Sequence, residues 1–149
     1  MRHATIYITL ITLLGLSSCL EDPDCNTLSS TTAIVKFYKE SDGKADQIRV
    51  SSIKAEGFED ESIAKSDLFS SVELPIRTDQ NSSTFLFVTE HGESNITFTY
   101  DVSTRFISDE CGIEYIIRNL EIASTTMDSV VVVNNTLSNS STEDVKIFN

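Results

Sequence analysis

Asn95-Ile96-Thr97-Phe98-Thr99-Tyr100-Asp101-Val102 alternates apolar and polar residues without a break. Successive side chains of a strand point to opposite faces, so Ile96, Phe98, Tyr100 and Val102 share one face while Thr97, Thr99 and Asp101 share the other. One face belongs in a core and the other in water, which predicts an outer, half-solvated strand. Just upstream, residues 84–89 carry a second strand-like run, and Glu90-His91-Gly92-Glu93 lies between the two. A four-residue connection with glycine predicts a β-hairpin.

The same pattern extends in both directions. Candidate strands cover residues 33–39, 47–53, 71–76, 84–89, 95–102, 113–122, 129–133 and 145–148, separated by polar turns. In residues 113–122 the apolar set changes parity, from Tyr115 and Ile117 to Leu120 and Ile122, which predicts a bulge near Arg118-Asn119. Residues 54–70 lack a clean period and mix Glu56, Glu59, Asp60 and Glu61 with Ile63, Leu68 and Phe69; they are expected to form a long loop, with at most one helical turn. Residues 134–142, rich in Asn and Ser, are read as the loop between the last two strands. Short strands at this spacing predict an all-β fold, an antiparallel two-sheet β-sandwich (Ig-like or related), with a partly open barrel as the alternative.

The N-terminus carries targeting information. Arg2 and His3 precede an apolar stretch from Ala4 to Leu16, the layout of a signal peptide and too short to span a bilayer. Leu16-Ser17-Ser18-Cys19 resembles the bacterial lipobox, in which the cysteine is acylated and becomes the mature N-terminus. The resemblance implies cleavage after residue 18 and a membrane anchor through lipid on Cys19. Residues 1–18 are then the signal peptide, residues 19–32 an acidic and Ser/Thr-rich tether, and residues 33–149 a single domain. Cleavage leaves 131 of the 149 residues, room for one core. The net charge of −12 disfavours nucleic-acid binding, because an acidic chain repels phosphate.

With Cys19 lipidated, Cys25 and Cys111 remain, an even count in an exported chain. A disulfide is expected, closing a separation worth roughly 4 kcal/mol in the chain-entropy model; two separate thiols are the alternative, since spacing alone cannot place them within bonding distance.

Candidate chemistry is sparse. After cleavage His91 is the sole histidine, and its place in a turn beside Glu90 and Glu93 suits a solvated side chain better than a zinc ligand or general base. The acids Glu21-Asp22-Asp24, Glu59-Asp60-Glu61 and Asp109-Glu110 lack the calcium-hand pattern. Phe85, Phe87, Phe98, Tyr100 and Tyr115 are expected in the core. Asp128-Ser129-Val130 resembles a short acceptor pattern for O-linked glycans on exported Bacteroidota proteins, which would require Ser129 to face solvent. No catalytic, cofactor-binding or metal-binding set emerges.

Several pieces in order resemble an uncharacterised lipoprotein family of Bacteroidota: Cys25, Phe37-Tyr38, Ser71-Val72-Glu73-Leu74-Pro75-Ile76, Phe106-Ile107-Ser108-Asp109-Glu110-Cys111-Gly112 and Val145-Lys146-Ile147-Phe148. The cysteine-glycine segment carries most of the weight, and the tryptophan expected near the end is missing. The resemblance implies a small envelope lipoprotein with β structure and adds no chemistry. The reading is a non-enzymatic interaction or accessory module with an envelope protein or glycan as partner; the alternative is a carbohydrate- or peptide-binding module.

Glu21, Asp22 and Asp24 directly follow the lipidated position and resemble the acidic export signal of surface lipoproteins, so the outer membrane, with its external face, is the expected location. A tether facing the periplasm is the alternative. Protease added to intact cells is expected to digest the native domain and to spare the variant with Glu21, Asp22 and Asp24 changed to Ala. A native domain cut only after the outer membrane is opened places the protein in the periplasm.

Overall fold

The computed structural model describes residues 25, 27–57 and 62–149. These form nine strands and no helix: β1 (Thr32–Tyr38), β2 (Ile48–Ala55), β3 (Ser62–Phe69), β4 (Ser71–Pro75), β5 (Ser82–Thr89), β6 (Gly92–Ser108), β7 (Gly112–Thr125), β8 (Ser129–Val132) and β9 (Val145–Phe148). One sheet has the order β4-β1-β9-β8 and the other β3-β2-β5-β6-β7. The strands divide into two separate sheets that pack together, and neither closes on itself: the fold is a β-sandwich.

Alternation does produce the core. Ala33, Val35 and Phe37 of β1 face Phe85 and Phe87 of β5 and Ile96, Phe98 and Tyr100 of β6 in one buried cluster. Each fully buried large apolar side chain contributes about 1.5–3 kcal/mol. The Phe85 and Phe98 rings meet edge to face, with centroids 6.2 Å apart. The Tyr100 hydroxyl stays inside because Ser83 Oγ lies 2.7 Å away, and burial pushes the phenol's pKa up. β6 is half-solvated as expected, yet it runs between β5 and β7 and not at an outer edge. The hairpin is tighter than its sequence suggests: Thr89 pairs with Gly92, so Glu90-His91 alone make the turn.

Two expectations are corrected. Residues 62–69, read as loop, form β3, antiparallel to β2 from Ile48↔Phe69 to Lys54↔Ser62. β3 is an edge strand whose only buried residue is Ala64, so no hydrophobic period marks it. The sandwich is also not wholly antiparallel, because β1 and β9 run parallel from Val35↔Val145 to Tyr38↔Phe148. This joins the first strand to the last, a pairing that local periodicity cannot report. Buried Asp144 starts it: its N–H donates to Ile34 O, its Oδ2 accepts the Ile34 N–H, both at 2.8 Å, and its carbonyl accepts the Val133 and Asn134 N–H groups.

The bulge in β7 lies where the parity change places it. Thr99 faces Glu121 and Asp101 faces Arg118, so Tyr100 alone opposes both Asn119 and Leu120. Asn119 takes a left-handed φ of 53° and donates from Nδ2 to Asp101 Oδ2 at 2.7 Å. The extra residue lets Ile117 and Leu120, three apart, both point into the core. Left-handed backbone costs residues with a Cβ about 1–2 kcal/mol, least for Asn and most for β-branched side chains. Asn119→Gly is therefore expected to melt close to the native protein, whereas Asn119→Val should lose about 1–2 kcal/mol, several degrees in thermal unfolding.

Candidate functional site

β6 has 17 residues, roughly 50 Å of strand, and the two ends of that strand carry different surfaces. At its start, beside the Glu90-His91 turn, the two sheets part around a groove of about 360 Å³. Buried Phe37, Ile48, Phe87 and Ile147 form the floor, Met127 and Phe148 the walls, and Thr89, His91, Ser94, Thr126 and Asp128 the polar rim. A volume in the range of small-ligand pockets, with an apolar floor and a few polar groups at its mouth, suits an apolar group with a polar end. On the rim, the His91 backbone N–H donates to Thr89 Oγ1 at 3.2 Å.

At the other end, β6 and β7 run past the sandwich as a two-stranded arm that turns at Asp109-Glu110-Cys111. Gly112 reverses the chain there with a φ of 72°, open to glycine at no steric cost. Val102↔Ile117, Thr104↔Tyr115 and Phe106↔Ile113 are cross-strand pairs and share one face. Ile117 is in the core, but Tyr115, Ile113 and Phe106 are 37%, 53% and 64% exposed. Among the described residues nothing covers the core face where it continues outward along the arm.

The arm's opposite face holds Glu114, buried although it carries a charge. Its Oε1 accepts the Ser29 backbone N–H at 2.9 Å, and its Oε2 lies 2.6 Å from the Arg105 guanidinium. Ser29 belongs to an N-terminal strap that also bridges to Ser138 and bonds Leu137 O through the Ser30 N–H at 3.3 Å. Asn139 Nδ2 donates to Thr27 O at 2.8 Å. Residues 27–31, read from sequence as tether, therefore dock on the domain. The strap begins at Cys25, which is bonded to Cys111 in the arm's turn with Cα atoms 5.5 Å apart. Cys25 and Cys111 are the pair that the cysteine count singled out; Cys19 and the acids Glu21, Asp22 and Asp24 lie outside the described residues.

Of the other sequence candidates, His91 reaches the groove rim next to Asp128, and Ser129 opens β8 half-buried. Tyr115, expected in the core, lies on the arm because its strand has outrun the opposing sheet. Asp109 and Glu110 occupy the arm's turn, and no set of three His, Cys, Asp or Glu among the described residues could hold a metal. Glu114 could have been suspected as a lone acid inside Ile113-Glu114-Tyr115-Ile116-Ile117. The groove has no local signature, since its floor comes from four strands.

A family model for a family of unknown function, DUF6452, matches residues 47–149. The chain belongs to that family. The DUF6452 segment takes in the groove floor from Ile48 onward and the whole arm with Cys111, but stops short of β1 and Cys25. No curated protein and no solved structure matches the chain.

The Ser29 N–H and then the Arg105 guanidinium hold the Glu114 carboxyl below its ordinary pKa. A depressed folded pKa stabilises the fold above the unfolded carboxylate value, and the contribution is lost as pH falls through the folded value. Glu114→Gln is therefore expected to melt lower than the native protein at pH 7, with the gap closing as both are acidified below the ordinary carboxylate range. Unfolding midpoints of the two proteins across that range check this.

Proposed function

We propose that this chain is a lipid-anchored envelope protein, held in the outer membrane through Cys19, that works as a non-enzymatic interaction module. Its groove receives an apolar side chain from a peptide partner. The observation that carries this reading is the placement of the groove at the opposite end of β6 from the Cys25–Cys111 bond. A chain entering from the membrane meets the domain at Cys25, and the groove then faces away from the bilayer, where partners are.

Two measurements test the two halves of the proposal. Cys19→Ala should release the domain from membranes or leave an uncleaved precursor; a variant that stays bound with unchanged lipid labelling refutes the anchor. A photo-crosslinking amino acid at Thr126, on the groove rim, should yield an adduct of defined mass in living cells, and Ser94→Trp, which fills the groove, should abolish it. Equal adducts from a probe at Ser140, away from the groove, would remove the assignment of the groove as the binding surface.

A further inference from the structure

We propose that the end of the β6–β7 arm is a second membrane contact: Phe106, Ile113 and Tyr115 enter the boundary between headgroups and acyl chains of the same bilayer that holds the lipid on Cys19. The inference rests on the anchor proposed above and adds a surface to it. Cys25 follows Cys19 by six positions, a reach of at most about 21 Å for a fully extended chain. Its bond to Cys111 transfers that limit to the turn of the arm. Ile113 is two residues further along β7, about 7 Å away, and Phe106 sits directly across from it. The bond therefore keeps the apolar face of the arm within reach of the bilayer.

The residues fit that position. An uncovered apolar patch in a soluble domain marks a binding surface, and aromatic side chains collect at the level of the headgroups. Asp109 and Glu110 in the turn disfavour anionic headgroups, so a leaflet surface rich in zwitterionic lipid is the occupant. The interfacial side chains also do what one anchor alone does not: they fix the domain's orientation on the membrane.

The chain contains no tryptophan, so a single one reports its own surroundings. The lipidated full-length mature protein is reconstituted into phosphatidylcholine–phosphatidylethanolamine vesicles with brominated acyl chains. Trp fluorescence is read for Phe106→Trp, for Ile113→Trp as a second reporter on the same face, and for His91→Trp at the far end of β6. Mass spectrometry of the same samples reads the lipid on Cys19. Blue-shifted emission with about twofold or greater quenching is expected at 106 and 113, and none at 91. Lipidated, vesicle-bound protein without quenching at 106 and 113 overturns the arm contact and leaves the anchor standing. A blue shift at 106 that depends on protein concentration and is indifferent to bromine assigns the face to a second copy and also overturns it. Protein that carries no lipid and does not sediment with vesicles overturns both readings.

Discussion

The bond between Cys25 and Cys111 joins the entry point of the chain to the turn of the β6–β7 arm across 86 residues of sequence. In the unfolded state it removes loop freedom; in the folded state it decides which end of the sandwich the N-terminal segment can approach. Without it, the strap would be held by the Ser29 contact with Glu114 and by its bridge to the 137–139 segment. With it, the strap is fixed at both ends and lies along the arm. The direction in which any upstream anchor pulls is thereby set relative to the long axis of β6.

That long axis comes from a mismatch between the two sheets. β6 and β7 have 17 and 14 residues, whereas β8 and β9 have four each and β1 seven. At about 3.3 Å per residue, the shorter sheet can cover less than half the length of β6. Apolar residues that continue the period beyond the cover emerge on the arm as Tyr115, Ile113 and Phe106. The left-handed Asn119 is what lets β7 serve both regions, since its bulge resets the inward parity between Ile117 and Leu120.

Legibility in the sequence followed the same division. Where a strand has one face in the core and one in water, alternation gave its position within a few residues, as for Ile96, Phe98 and Tyr100, and the parity break gave the Asn119 bulge. β3 escaped because an edge strand with only Ala64 buried has no period to detect. The parallel β1–β9 pairing and the groove escaped for another reason: both are made by residues far apart in the chain, and nothing in a local pattern reports them. Tyr115 was misassigned because periodicity identifies a face but not whether another sheet lies over it. The cysteine pair was legible once the lipobox resemblance set Cys19 aside, though spacing alone left two separate thiols open, while the role of the buried Glu114 needed the strap that covers it.

Glu114 shows how the strap is oriented and not merely attached. A buried carboxylate is costly unless its oxygens are satisfied, and an apolar residue of similar size often stabilises a fold equally well. An apolar residue, however, would give the strap no direction. Glu114 divides its two oxygens between the Ser29 N–H from the strap and the Arg105 guanidinium on the neighbouring strand. It thus locks one backbone position of the strap, Ser29, four residues after Cys25, against one position of β7, three residues after Cys111. Two fixed points on a short segment define a line, and here the line runs along the arm. A segment held at one point could swivel about it; with both contacts in place the strap from Cys25 onward is fixed in direction on the domain, and under the proposed anchoring the groove is carried to the far end of a strand roughly 50 Å long.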